Sequence, residues 1–268
     1  MGKKSVIITG GTSGLGFELA KIFSNGRYDV WVTGRSLKSG LPEGVRLNFA
    51  RADFTDLRQT AGVMKDLRER GIRFDIIVNN AAILGHPEYM TTTDGYECTF
   101  QVNFLSHLLA NRILLDGAVR EKPVTLATVT SPVYRLVNPV FKFPEKEDYN
   151  SFRVYALTKY LLLLLADYLK GKFPDGMLKL VKFNPGVFSS GIYRSRGKFF
   201  GSLYRIASPV LRSPEIPARK LYELIERGNQ QERFVYNCFN RRLNESPELT
   251  AEAEKFLLAC EQSVGFLC

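Results

Sequence analysis

The chain has 268 residues, 45% of them hydrophobic, which suits one large α/β domain with a full core and is too apolar for a disordered or collagen-like chain. Its 37 Lys and Arg outnumber 27 Asp and Glu, a formal charge of +10 that admits nucleic acid, an anionic cofactor, an acidic membrane face or plain solubility. Four cysteines without a C-x-x-C pair exclude a disulfide scaffold and a zinc ribbon, and point to reduced thiols in a cytoplasm.

Met1-Gly2-Lys3-Lys4-Ser5 leads directly into Val6-Ile7-Ile8, leaving no room for the apolar stretch of a signal peptide. The longest purely apolar run, 161–166, falls far short of the roughly 20 residues that cross a bilayer. Short β-branched runs predict strands at 5–9, 29–33, 46–50, 74–79, 124–130, 177–183 and 233–236. Amphipathic stretches predict helices at 15–24, 56–70, 94–119, 154–170, 214–227 and 247–261. Ile76-Ile77-Val78 is apolar on both faces, as in a parallel sheet covered on both sides. The alternation predicts an α/β fold: a single doubly wound, Rossmann-type parallel sheet with helices on both faces, one domain over 1–268. Two less regular stretches, 133–150 and 188–213, each follow the carboxyl end of a strand, where open α/β sheets bind ligands.

Between the first strand and first helix stands Thr9-Gly10-Gly11-Thr12-Ser13-Gly14-Leu15-Gly16. Gly10, Gly14 and Gly16 give the spacing G-x3-G-x-G, whose missing side chains allow a tight turn and close backbone approach to a pyrophosphate. The helix start then offers free N–H groups and a positive dipole end to phosphates, with Thr12, Ser13 and Leu15 beside them. The second strand ends Val32-Thr33-Gly34-Arg35. An acid there would bind the ribose 2′-hydroxyl of NAD, whereas Arg35 suits the 2′-phosphate of NADP(H). Asp53-Phe54, after the third strand, could line the adenine, though Asp53 could equally be a turn or helix-capping residue.

Asn79-Asn80-Ala81 follows the fourth strand, and Tyr155-Ala156-Leu157-Thr158-Lys159 opens the helix after the fifth. With the glycine turn, in this order and spacing, the chain resembles the short-chain dehydrogenase/reductase family over nearly its whole length. Asn103, Ser131 and Pro185-Gly186 fall where that pattern expects them, and the tail from Ser246-Pro247-Glu248 to Val264-Gly265 is similar to retinol-dehydrogenase-like members. The resemblance implies a catalytic set of Asn103, Ser131, Tyr155 and Lys159. It adds Asn80, Ala81, Ala82, Tyr155, Lys159, Pro185, Gly186, Val187 and Ser190 to the cofactor contacts. It implies an NADP-dependent oxidoreductase acting on a carbonyl or its alcohol, with Lys159 also holding the nicotinamide ribose and Asn103 supporting a water relay to Lys159. Helices 94–119 and 154–170 resemble the family's dimer-forming pair, implying a homodimer or homotetramer. A non-catalytic dinucleotide sensor of the same fold is the alternative; such a protein typically loses the Tyr or the Lys, and both stand here.

The chemistry explains the grouping. A phenol near pKa 10 is a poor base at neutral pH, and an ammonium one helical turn away favours the phenolate. A serine hydroxyl at the same substrate oxygen stabilises charge developing there. A second Tyr-x3-Lys, Tyr168 to Lys172, sits before Pro174 at a helix end and reads as solvated surface. Two departures from the family pattern matter. Ala82 replaces a glycine, and the 24-residue step from Ser131 to Tyr155 implies an insertion, 133–150, beside the site. Neither His86, in a loop, nor His107, on an apolar helix as a packed or interface residue, makes a metal site.

From 176 to 213 the chain has no acid but seven bases: Lys179, Lys182, Arg194, Arg196, Lys198, Arg205 and Arg212. Aromatic residues alternate with them, and 188–213 is a candidate substrate lid. Such a lid suits a bulky hydrophobic, lipid-like or acidic substrate; the same composition could touch an anionic membrane, or simply pack with its arginines in water. No helix-turn-helix, zinc-finger or RRM signature occurs, so nucleic acid is not an expected partner.

Overall fold

Eight strands among the described residues form one sheet: β1 (Lys4–Ile8), β2 (Tyr28–Gly34), β3 (Asn48–Arg51), β4 (Ile76–Asn79), β5 (Val124–Val129), β6 (Leu178–Asn184), β7 (Phe234–Asn237) and β8 (Asn244–Glu245). The computed structural model describes residues 3–26, 28–37, 40–118, 122–186, 213–228, 231–238 and 244–268. The spatial order is β3-β2-β1-β4-β5-β6-β7-β8. Every pairing from β3 to β7 is parallel, as the sequence predicts. The edge strand β8 runs antiparallel to β7 and departs from the all-parallel expectation. Two residues are too short a run to show a period.

The helices are α1 (Gly14–Ser24), α2 (Leu57–Glu69), α3 (Cys98–Phe100), α4 (Ser106–Ala118), α5 (Ser151–Lys170), α6 (Glu215–Arg227) and α7 (Ala251–Val264). Alternation along the strands divides the core. Val6, Ile8, Ile76 and Val78 face α1 and α6, packing with Leu19, Phe23, Leu221 and Leu224. Ile7 and Ile77 face the other layer, with Leu67, Leu109, Leu161 and Leu257. Both faces are therefore covered, which is why the strands read as unbroken apolar runs.

The helix expected over 94–119 is interrupted. Glu97 caps α3 by accepting from the Phe100 N–H at 2.7 Å, and Gln101–Leu105 forms a π-helical turn before α4. Asp94 lies outside the helix and instead accepts from the Leu57 N–H at 2.9 Å, at the start of α2.

The C-terminal helix α7 lies across α4 and α5, the two helices expected to pair subunits. Phe256 meets Phe143, Phe141 and Phe100 at ring distances of 5.5, 6.2 and 6.3 Å. Buried Glu261 accepts from Arg112, from the Tyr168 hydroxyl at 2.6 Å and from Lys172 at 2.7 Å. The second Tyr-x3-Lys is thus a tertiary clamp rather than solvated surface; a helix end reads as exposed until a tail 93 residues away covers it. Lys182 also departs from expectation. It is 1% exposed and held by Asp167 at 2.6 Å and Ser246 at 3.0 Å, so it is not an unopposed charge. Among the described residues, no helix is long and apolar enough to cross a membrane.

Candidate active site

The carboxyl ends of β1, β4, β5 and β6 carry the sequence-predicted residues, and β1 is the strand from which the chain order runs outward in both directions. At β1, the Thr9 N–H donates to the Val78 carbonyl at 3.0 Å. Gly10 backs onto Ala81 and Gly16 onto Asn80, where a Cβ would stand 2.8 Å from the Ala81 Cα and 2.5 Å from the Asn80 side chain. Asn80 braces the turn: its amide donates to the Thr9 and Gly10 carbonyls at 2.8 and 3.3 Å. The Asn80 and Ala81 N–H groups donate to the Thr9 hydroxyl at 2.9 and 3.0 Å.

The start of α1 differs from those of α2, α5 and α7. Asp56, Asn150 and Thr250 each cap their helices with a side chain, whereas Ser13 makes no cap bond and the first turn of α1 has no acid. Gly14, at φ +55°, has nothing within 4 Å of where a Cβ would stand. Uncapped N–H groups, a positive dipole end and open space together fit a diphosphate. Exposed Arg35 follows Gly34, and a Cβ on Gly34 would stand 2.7 Å from the Thr12 hydroxyl, so Arg35 adjoins this turn. Arg51, which the sequence reading passed over, stands opposite Gly34 in the β2–β3 register. The Asp53 carboxylate accepts from the Thr55 N–H and hydroxyl at 3.0 and 2.9 Å, a turn role. The Phe54 ring is buried, 5.2 Å edge-on to His107, because the chain turns inward at this point to start α2.

On α5, Lys159 is 2% exposed. Its ammonium donates to the Val129 carbonyl at 3.3 Å and lies 5.9 Å from the centre of the Tyr155 ring. Among the described residues no carboxylate pairs with it, and burial pulls its pKa down to about 8. The Thr130 hydroxyl donates to the Lys159 carbonyl at 2.8 Å, locking the end of β5 to α5. Ser131 comes next and opens a 3-10 turn, Pro132–Leu136, without spending its hydroxyl on a cap. Tyr155, Lys159 and the Ser131 backbone therefore converge at the end of β5.

Asn103, in the π turn, clasps both polar groups of Ile83: its Oδ1 accepts from the N–H at 2.8 Å and its Nδ2 donates to the carbonyl at 2.9 Å. Nδ2 also donates to the Thr158 hydroxyl at 3.2 Å, which donates to the Tyr155 carbonyl at 2.7 Å. After β6, Pro185 is buried, and the Gly186 N–H, at φ +72°, donates to Asn184 at 2.9 Å. A cleft of about 440 Å³, lined by Pro132, Arg135, Asn184, Gly186, Asn237 and Cys238 among others, opens at the ends of β5, β6 and β7. Val187, Ser190 and 188–212 of the candidate lid, with Arg194, Arg196, Lys198, Arg205 and Arg212, lie outside the described residues.

Within 133–150 the Tyr149 hydroxyl donates to the His86 carbonyl at 2.7 Å, and its ring meets Tyr89 at 5.4 Å. His86 is a loop residue, as expected. Sequence reasoning missed Thr9 and Thr158 as organisers, since a hydroxyl that binds backbone leaves no periodic trace.

A family model described as short chain dehydrogenase matches residues 4–142. Retinol dehydrogenase 13 of Mus musculus is 25% identical over 205 residues, 72% of this chain and 61% of that protein. The chain spans 55–61% of the lengths of three of the curated relatives it matches. Among solved structures, a short-chain dehydrogenase from Sphingobium yanoikuyae in complex with NADPH superposes with a TM-score of 0.69 at 20% identity, covering 89% of each chain. A short chain dehydrogenase/reductase from Burkholderia phymatum in complex with NAD gives 0.65 at 16% identity, also covering 89% of each chain.

Proposed function

This chain belongs to the short chain dehydrogenase family, and we propose that it works, as one domain over 1–268, as an NADPH-dependent oxidoreductase. Its substrate is the carbonyl, or the corresponding alcohol, of a bulky hydrophobic or amphiphilic molecule. The observation that carries this reading is the buried Lys159 ammonium, without a carboxylate partner among the described residues, beside Tyr155 at the end of β5.

The first turn of α1, with Gly10, Thr12, Gly14 and Gly16, would hold the diphosphate, and Ala81, Ala82 and Gly186 would flank the rest of the dinucleotide. When bound, the dinucleotide supplies or accepts the hydride. Tyr155 holds or receives the proton at its phenol oxygen. The Lys159 charge stabilises the phenolate form, so the proton moves at neutral pH rather than near pH 10. Ser131 donates its hydroxyl to the same substrate oxygen as negative charge builds there. Asn103 and Thr158 hold the helix turn that carries Tyr155.

Arg35 and Arg51, with Asp53 committed to its own turn, favour the extra phosphate of NADP(H). The cleft beside Pro132 and the similarity to a retinol dehydrogenase favour a large apolar substrate. A homodimer or homotetramer formed through α4 and α5 would need α7 to move aside, which favours a single chain as the working unit.

The test is oxidation of NADPH and NADH by purified protein with a panel of hydrophobic ketones and aldehydes. NADPH is expected to be preferred at least about tenfold, and Arg35→Ala to remove most of that preference. An equal or greater rate with NADH overturns the cofactor assignment. NADPH binding without turnover of any carbonyl overturns the reaction.

A further inference from the structure

His107 is a buried titratable group that the proton-transfer scheme leaves unused. It lies on α4 with no exposed surface. Its Nδ1 is 3.0 Å from the Asn103 carbonyl oxygen, and its Nε2 is 3.0 Å from the Thr9 hydroxyl. A carbonyl only accepts, so the ring proton resides on Nδ1, and Nε2 accepts from Thr9. The hydroxyl's single hydrogen thus goes to the ring rather than to the Val78 carbonyl 3.1 Å away, which already receives the Thr9 N–H. Its lone pairs receive the Asn80 and Ala81 N–H groups. The chain of hydrogen bonds has one direction and no spare member. It runs from the π turn to the glycine turn and on to the strand end that flanks the cofactor site.

Burial, and the Lys159 ammonium nearby, hold the His107 pKa at about 3, so the ring stays neutral. A phenyl ring of similar volume would fill the space beside Phe54 as well, so packing does not account for two placed nitrogens.

We propose that His107 is a positioning residue that ties the glycine turn, through Thr9, to the Asn103 carbonyl, and so sets the cofactor site against the Tyr155–Lys159 pair. The proposal rests on the oxidoreductase reading above. Each nitrogen then serves a different quantity: Nε2 the placement of the turn, Nδ1 the placement of the π turn beside α5.

Two variants separate them. In His107→Asn the amide N–H takes the place of Nδ1 and the Thr9 bond is lost. In His107→Gln the amide oxygen reaches the place of Nε2 and the Asn103 bond is lost. Dinucleotide affinity is read by titrating NADPH fluorescence, which needs no turnover, and kcat is read at saturating NADPH. One hydrogen bond supports an effect of about tenfold. His107→Asn is expected to weaken NADPH binding about tenfold with kcat within about threefold, and His107→Gln to show the reverse split. Folded variants with both quantities within about twofold of wild type, or falling together with the unfolding midpoint, overturn the proposal. A wild-type chain that binds no dinucleotide overturns the oxidoreductase reading and this proposal together, whereas a binding wild type with unsplit variants overturns this proposal alone.

Should the variants fail to fold, 15N NMR of the wild-type rings decides, since the chain has only two histidines. One ring should carry its proton on Nδ1 and keep it there from about pH 5.5 to 8.5. An Nε2-protonated ring at His107, or one that titrates in that range, overturns the proposal.

Discussion

The chain carries the same motif twice, Tyr155–Lys159 within α5 and Tyr168–Lys172 across its C-terminal end, and the two copies have different surroundings. Lys159 lies 5.9 Å from the Tyr155 ring, with a backbone carbonyl as its hydrogen-bond partner. Lys172 lies 4.5 Å from the Tyr168 ring, but both groups bind Glu261. A phenol that donates to a carboxylate is held protonated, and burial raises the Tyr168 pKa further. Among the described residues no carboxylate pairs with Lys159, and in the proposed mechanism its ammonium favours the phenolate form of Tyr155. The spacing of Tyr-x3-Lys therefore places a cation over a ring in both cases. The visible difference is the acid: Glu261 binds both Tyr168 and Lys172, whereas no carboxylate pairs with Lys159 among the described residues.

The largest effect that breaks the comparison comes from Lys159. Lys159→Met is expected to lower kcat/KM by about 10³-fold, the range of general acid–base catalysis. The same change should stabilise the protein at pH 7. The folded-state pKa of about 8 lies below the ordinary 10.5, so between those values the unfolded chain holds a proton that the folded chain has released. Stability from this group therefore rises with pH across that window and is lowest below it, by about 3 kcal/mol for the full shift. Urea midpoints of wild type and Lys159→Met should accordingly converge from pH 8 to pH 10; a constant gap would contradict a buried, depressed lysine.

At the other copy the expected effects are smaller and concern stability. Glu261→Gln leaves Arg112 and Lys172 without their acid, but both cations reach water, so the loss should be about 1–2 kcal/mol with turnover within about twofold. A loss of turnover at wild-type stability would mean that the clamp serves the chemistry after all. Because α7 is held over α4 and α5, light scattering should give the mass of one chain, 30.3 kDa; a stable dimer would show that subunits pair by another face or that α7 moves aside.

The same contrast shows what a sequence can reveal. Seven strands and the glycine turn are legible because fully buried parallel strands and a strand–turn–helix junction leave local patterns. Tyr155 and Lys159 are legible only in company with Ser131, Asn103 and the turn, since the motif alone recurs at Tyr168. Contacts made across the chain leave no such pattern. Glu261 reaches Tyr168 from 93 positions away, Lys182 finds Asp167 across two elements, and Thr9 finds His107 across 98. The π turn is likewise hidden, because the residues 101–105 have ordinary helical periodicity and only the Asn103 clasp on Ile83 marks the break.

The most direct measurement is a matched pair, Tyr155→Phe and Tyr168→Phe, assayed for NADPH oxidation with one accepted ketone and for NADPH binding by fluorescence. Each removes one oxygen from the same helix. Tyr155→Phe should lose about 10³-fold in kcat while still binding NADPH, and Tyr168→Phe should keep wild-type turnover with a modest loss of stability. Wild-type rates in Tyr155→Phe, or an equal loss in both, would contradict the account.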